Sequence, residues 1–69
     1  MNQREKILDY IKRFGSISPF EAFRDLGITK LATRISEMIL EGVEIEKHFE
    51  KSENRFSETV IYMRYSLRD

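Results

Sequence analysis

Cysteine is absent from this sequence of 69 residues, which excludes disulfide bonds, thiolate metal sites and thiol nucleophiles. The sequence has one histidine and no glycine-rich phosphate loop, so no nucleophile and base can be paired convincingly and no enzymatic activity is expected. Apolar runs are far shorter than the roughly 20 residues of a membrane helix. The charged N-terminus leads directly into a helical pattern, which predicts no signal peptide and no membrane partner.

An excess of charge of one sign is also lacking. Twelve Lys and Arg residues balance twelve Asp and Glu residues, and the formal net charge at pH 7 is +0. Small nucleic-acid binders usually carry net positive charge, because phosphate neutralisation supplies much of their affinity. Nucleic-acid binding by this chain therefore requires a local cluster of basic residues.

The first helix is expected over residues 2–14. Asn2 is a good N-cap, and Glu5 completes the pattern of a capping box. Gly15 follows the last apolar position and is suited to the left-handed conformation that ends a helix. The predicted buried stripe consists of Ile7, Leu8, Ile11 and Phe14.

The second helix is expected to begin after Ser18, with Pro19 in its first turn and Glu21 completing a capping box. Gly27 ends it after about two turns. The preceding residues 16–17 form a connector or a stub of strand. The apolar residues predicted to pack inward are Phe20, Ala22, Phe23 and Leu26.

A third helix follows, with Thr29 as its expected N-cap and Gly42 as its stop. Leu40 points away from the apolar stripe, and with Tyr10 and Tyr62 it has no evident role in the core. The predicted buried stripe consists of Leu31, Ala32, Ile35, Met38 and Ile39.

After the third helix the apolar period changes from 3.6 to 2, which predicts two strands joined by a turn at residues 52–57. The expected inward positions are Val43, Ile45, Lys47 and Phe49 in the first strand, and Ile61, Met63, Tyr65 and Leu67 in the second. The outward row of the first strand is Glu44, Glu46, His48 and Glu50. We interpret that row as a solvated face that Arg64 partly neutralises, not as a metal site.

Several segments resemble a known family in their residues as well as in the order of helices and strands. They are residues 15–22, Leu26-Gly27-Ile28, residues 31–38, Glu41-Gly42-Val43 and Asn54-Arg55-Phe56. From Lys6 to Leu67 the chain resembles the small winged helix-turn-helix proteins of bacteriophages and prophages. The resemblance implies an α+β fold over residues 1–69, with three helices followed by a two-stranded antiparallel wing, and a DNA-binding role.

Two features depart from that family. Ser57 stands where a relative is expected to carry glycine after the wing motif, so an altered turn is expected there. The apolar positions after Gly27 fall earlier than in repressor-type motifs, so base contacts cannot be copied from that class.

The exposed face of the third helix and the wing tip are the candidate DNA contacts. The first residues of a recognition helix face base edges in the major groove, and a basic wing tip lies against the minor groove or the backbone. The predicted DNA-binding residues are Thr29, Lys30, Thr33 and Arg34 on the helix, and Lys51, Asn54 and Arg55 on the wing. Phe56 either folds back onto the core or marks a protein contact.

The sequence therefore predicts a cytoplasmic transcription regulator of phage or prophage type that binds double-stranded DNA without a cofactor or metal ion. A homodimer, or a partner protein that supplies the second contact, is expected, because operators are usually read by symmetric pairs. The expected dimer surface is the first helix or the outer edge of the strands. The alternative is an adaptor or inhibitor that binds a protein partner and does not bind DNA. The neutral charge and the acidic strand face favour that alternative.

Overall fold

The computed structural model describes residues 1–68. Its elements are α1 (Gln3–Phe14), α2 (Pro19–Leu26), α3 (Leu31–Leu40), β1 (Ile45–Glu53) and β2 (Thr59–Leu67). β1 and β2 pair antiparallel, which confirms the predicted winged helix-turn-helix fold class. An isolated bridge between Ile17 and Tyr65 adds the expected stub of strand beside β2.

The start of α2 forms as the sequence predicts, and that of α3 does not. The start of α1 has the predicted Asn2 cap, but the described residues show no return hydrogen bond from the Glu5 side chain, so its capping box is only half formed. Asn2 accepts a hydrogen bond of 2.8 Å from a first-turn amide, and Ser18 and Glu21 make both hydrogen bonds of a capping box. The prediction that Thr29 caps α3 is wrong. Lys30 takes the N-cap position, and its side chain makes no capping hydrogen bond.

The core is aliphatic and lies where the three helices meet the base of the sheet. The largest fully buried side chains are Ile7, Ile17, Ile28 and Ile35. Tyr10 joins them at 9% exposure, and its hydroxyl group donates a hydrogen bond of 2.7 Å to Asp25. The prediction that Tyr10 has no core role is therefore wrong.

All five phenylalanines lie outside this core. Their exposed fractions run from 61% to 82% at Phe14, Phe20, Phe23, Phe49 and Phe56. The first four were expected to pack inward, and that prediction is wrong. In α1 the last buried residues are Tyr10 and Ile11, so Phe14 lies beyond the core. The two turns of α2 bury only Ala22. At position 49, β1 no longer packs against the helices.

The wing extends beyond the helices. Ile45 pairs with Leu67 near the core, and Glu53 pairs with Thr59 at the far end. The apolar side chains of the two strands are buried only near the Ile45–Leu67 pair, and every residue from 51 to 61 is exposed. The wing thus presents both faces to solvent along its outer half.

Arg64 attaches the wing to the helices. Its Nη1 donates hydrogen bonds to Ser16 Oγ at 3.0 Å and to Glu21 Oε1 at 2.8 Å, and its Nε lies 2.8 Å from Glu50 Oε1. This geometry agrees with the expectation that Arg64 neutralises part of the acidic row. Burial by itself raises the pKa of Glu21, but the hydrogen bonds from Arg64 and the Ser18 amide outweigh it and hold that pKa below its usual value.

Candidate nucleic-acid interface

The exposed face of α3 carries hydroxyl groups and one lysine. The side chains of Thr29, Lys30 and Thr33 are all exposed, and so is that of Ser36. Leu40 is 88% exposed near the end of the helix, as its position off the stripe predicted. Ala32 and Ile39, expected in the buried stripe, are instead exposed, so burial on α3 is confined to Leu31, Ile35 and Met38.

Lys30 stands where α3 begins and forms no ion pair among residues 1–68. The backbone amides of a helix's first turn have no partner within the helix, and the helix dipole is positive at that end. The ammonium group of Lys30, which has no carboxylate partner in the described residues, therefore lies at the end of α3 that attracts phosphate.

Arg34 lies at the margin of this face, towards α1. Its Nη1 donates a hydrogen bond of 3.1 Å to Glu37 Oε1, and its Nε is buried with no hydrogen-bond partner in the described part of the chain. Arg34 and Glu37 share a groove of about 390 Å³ with Arg4 and the first residues of α1, and Arg4 is itself paired with Glu41. Arg34 is therefore engaged within the protein and must leave Glu37 to reach a base.

Asn54 organises the turn of the wing. Its Oδ1 accepts hydrogen bonds from the amides of Phe56 at 2.8 Å and Glu58 at 3.1 Å, and its Nδ2 donates to Glu58 Oε1 at 3.2 Å. This role of Asn54 was not predicted from the sequence. An Asn side chain that bonds the amide two residues on is an Asx turn, and the Asn in a turn-rich break was the available signal.

At the wing tip, the structure shows the turn conformation of Ser57 and the position of Phe56, both of which the sequence had left open. Ser57 has φ 59°, so serine occupies the left-handed conformation that a glycine adopts without strain. Phe56 is exposed and does not fold back onto the core. Its ring is available to a binding partner.

The wing carries three cations without ion pairs in the described chain, Lys47, Lys51 and Arg55. Lys47 was predicted to point inward, and that is wrong, since it is exposed. Lys47 and Lys51 share one strand face in the register of β1. Glu53 and Glu58 lie nearby in the chain and offset part of this positive charge.

The ion pairs of the molecule explain how a neutral chain can still present local positive charge. Six arginines are matched with carboxylates, namely Arg4, Arg13, Arg24, Arg34, Arg64 and Arg68. Of the six cations without such a match in the described residues, Lys30, Lys51 and Arg55 lie where the sequence placed the DNA contacts, Lys47 lies on the wing beside them, and Lys6 and Lys12 lie on α1. In the same described residues, the acidic row and His48 bring no three metal-ligating side chains together.

A family model described as a winged helix-turn-helix domain matches residues 2–69. No curated protein and no solved structure matches the chain. Within residues 1–68, no helix has both the length and the apolar character that crossing a bilayer demands. The winged helix-turn-helix is a DNA-binding fold, whose recognition helix enters the major groove.

Proposed function

We propose that this chain, which belongs to the winged helix-turn-helix domain family, binds double-stranded DNA with α3 in the major groove and the wing on the flanking backbone. The observation that carries the proposal is the placement of the unpaired cations. Six side-chain cations of the described residues form no ion pair, and four of them, Lys30, Lys47, Lys51 and Arg55, lie at the start of α3 and on the wing. The other two, Lys6 and Lys12, lie on α1, while the arginines of the helical body are neutralised within the protein. The function needs no cofactor and no catalytic step.

On α3 the proposed contacts follow from side-chain chemistry. Lys30 binds a phosphate at the start of the helix, and the hydroxyl groups of Thr29 and Thr33 reach phosphate or base. Arg34 exchanges Glu37 for the O6 and N7 acceptors of a guanine. Leaving Glu37 costs Arg34 a hydrogen bond, and that loss is made good only where the DNA offers a good acceptor. Binding through Arg34 should therefore be the contact most sensitive to the DNA sequence.

On the wing, Lys51 and Arg55 contact phosphates or the edge of the minor groove. Lys47 extends this contact along the same strand. Asn54 acts through the turn that its side chain organises, and its substitution affects binding by moving Arg55. The wing therefore adds affinity more than specificity.

In the cell we infer a cytoplasmic transcription regulator of phage or prophage type. A single domain of this size covers little DNA, and a dimer reads two half-sites about one helical turn apart. The functional unit we propose is accordingly a homodimer.

Salt dependence of binding to random duplex DNA tests the wing contacts. Lys51→Ala and Arg55→Ala should each flatten the slope of log affinity against log salt by about one unit. Lys12→Ala is the matched control, because Lys12 is also exposed and without an ion pair but lies on α1. Equal slopes for all three variants and the parent would remove the wing from the interface.

A duplex selected from a random library tests α3. Arg34→Ala should cost about 1–3 kcal/mol on that site and relax the preference at one base pair. Glu37→Gln should strengthen binding, because it frees Arg34 and removes a negative charge from the surface. Unchanged affinity in both variants would contradict a base-reading role for this face.

The second candidate function is a module that binds a protein and not DNA. The five exposed phenylalanines favour it, because large apolar side chains on the surface offer area that a protein partner can cover. Absence of duplex binding even at low salt would contradict DNA binding and leave this second candidate standing.

A further inference from the structure

Three exposed phenylalanines on α1 and α2 take no part in the proposed DNA contacts. Phe14 lies at the end of α1, and Phe20 and Phe23 lie on α2. We call these three residues the aromatic face. Their helical spacing is that of buried residues, yet each is more than 60% exposed in the single chain. Helix periodicity of this kind is what a surface covered by a partner also shows.

A groove of about 620 Å³ lies between α1 and α2, and Phe14 is the member of the aromatic face that lines it. Tyr10, Phe14 and Leu26 supply its apolar lining, and Asp9 and Arg13 lie among its charged lining residues. The groove gives a protruding side chain of a partner a place to insert. Where a ring lies next to a groove on one surface, two copies related by a twofold axis can each insert that ring into the groove of the other.

The aromatic face is held in place by contacts within the chain. The rings of Tyr10 and Phe14 are 4.7 Å apart, and the Arg24 guanidinium lies 5.3 Å from the centre of the Phe20 ring. Asp25 links these two ends, accepting hydrogen bonds from Arg24 at 2.7 and 2.9 Å and from Tyr10 at 2.7 Å. Side chains that are ordered before binding lose less entropy when a partner covers them.

The charges around the aromatic face match those of a second copy of the same chain. Asp9 pairs with Arg13 at 3.0 Å, and Arg24 pairs with Asp25 at 2.7 Å. Hydrogen bonds from Arg24 and Tyr10 lower the pKa of Asp25 to about 2, so both signs of charge persist at any ordinary pH. A surface that carries both signs can face itself across a twofold axis, and a chain of net charge +0 does not repel its copy.

The available apolar area also suits a dimer. A phenylalanine buries roughly 150–250 Å² when covered, so three that are about two-thirds exposed offer roughly 300–500 Å². A standard interface buries about 800 Å² per partner, with the apolar part at its centre. The aromatic face and its groove can therefore supply that centre, and the charged residues can supply the rim.

We infer that the aromatic face joins two copies of this chain, with Phe14, Phe20 and Phe23 of each copy covered by the other. The inference names the surface of the homodimer in the proposed function and rests on that dimer, but not on DNA binding. Neither the proposed contacts of α3 nor those of the wing lie on the aromatic face, so both copies keep them free.

Sedimentation equilibrium of the purified chain without DNA tests the inference. The parent should show a monomer–dimer equilibrium, and Phe14→Ser with Phe23→Ser should be monomeric over the same concentrations. The matched control is Phe49→Ser with Phe56→Ser, which makes the same chemical change on the wing and should dimerise like the parent. A monomeric parent, or a dimer that survives the first double substitution, would overturn the inference.

A second measurement keeps the test decisive if the double variant does not fold. Because the chain has no cysteine, Lys12→Cys on α1 and Glu53→Cys on the wing each give one spin-label site. Electron–electron distances should be short and defined for Lys12→Cys and longer for Glu53→Cys. The reverse order would place the interface on the wing and overturn the inference.

The same variants separate this inference from the proposed function. If the monomeric double variant still binds random duplex DNA with a weaker, salt-dependent affinity, both stand. If the parent dimerises through the aromatic face but never binds duplex DNA, the dimer stands and the DNA-binding proposal fails. If the parent binds DNA as a monomer, the inference fails alone.

Discussion

The helical body and the wing are stabilised in different ways. In the body, Ile7, Ile17, Ile28 and Ile35 are fully buried, so burial of aliphatic surface is the main stabilising contribution. In the outer wing, residues 51–61 are all exposed. The strand ladder and the hydrogen bonds of its turn hold that part in shape.

This difference indicates how one small chain can combine stability with a projecting contact surface. A domain of this size buries only about 60% of the surface of its unfolded chain, and the wing contributes little to that burial. The body must therefore hold the wing in place, and Arg64 is where the two meet. Substitutions in the body, at the junction and in the wing should have effects of decreasing size.

The largest effect is expected in the body, at Ile35. Ile35→Ala should lower the free energy of unfolding by about 2–5 kcal/mol, because it removes buried methyl groups and leaves a cavity. Leu40→Ala is the matched control on α3, and its exposed side chain should make the change small. Thermal unfolding followed by circular dichroism measures both. Equal melting temperatures for the two variants would contradict the division of α3 into a buried and an exposed face.

The next effect is expected at the junction. Arg64→Met should cost about 1–3 kcal/mol, because it leaves the half-buried Glu21 and Glu50 without their partner. Arg68→Met is the control, since its ion pair with Glu46 is long and exposed and should contribute little. Urea unfolding of the two variants at neutral pH gives the comparison.

The same junction predicts a dependence on acid. The pKa of Glu21 is lower in the folded chain than in the unfolded chain, so its contribution is full above the unfolded pKa and is lost as pH falls through the folded pKa. Arg64→Met removes the largest of the interactions that lower this pKa and leaves the hydrogen bond from the Ser18 amide. Unfolding free energies measured from neutral pH down to acid should therefore fall less steeply for Arg64→Met than for the parent. Parallel curves would show that Arg64 does not set the pKa of Glu21.

A smaller effect is expected in the wing turn. Asn54→Ala should cost about 1 kcal/mol, since its three hydrogen bonds are exposed and partly replaced by water. Amide hydrogen exchange should speed up at Phe56 and Glu58 and stay unchanged at Ile35. Ser52→Ala is the control within the wing. Faster exchange throughout the body would mean that the two regions are less independent than their burial indicates.

The smallest effect is expected at Ser57. Ser57→Gly removes the cost of a left-handed non-glycine residue, about 1–2 kcal/mol. It also raises the conformational entropy of the unfolded chain, which lowers the free energy of unfolding by about 0.5–1 kcal/mol. The net result should be a stabilisation of about 0.5 kcal/mol. Ser57→Ala keeps the unfavourable φ of 59° and should gain nothing. Chemical unfolding that ranks Ala at or above Gly would contradict this account.

Much of the fold could be predicted from local signals. The caps at Asn2 and Ser18, the stop at Gly15 and the change of period after Gly42 depend on residues close in sequence. The burial of particular side chains depends on which elements meet, and periodicity does not carry that information. Phe14 shows the difference, because its spacing fits the stripe of α1 while it stays 69% exposed, with no helix or strand of residues 1–68 covering it.

The candidate site divides in the same way. Exposure of Thr29, Lys30 and Thr33 follows from their distance from the apolar stripe, and the sequence predicted it. The pairing of Arg34 with Glu37 and the use of Asn54 within its turn were not predicted. They depend on rotamers and on backbone shape, which residue type alone does not determine.

The bridge between Ile17 and Tyr65 sets an order of events during synthesis. Its two hydrogen bonds, of 2.8 and 2.9 Å, join residues that are separated by most of the chain. Helices form within about a microsecond, whereas a ribosome adds about 5–20 residues each second. Several seconds therefore pass between the synthesis of Ile17 and that of Tyr65, and during this interval Ile17 lacks its strand partner. We expect a nascent chain to remain open to chaperones throughout that interval and to close only when the second strand arrives.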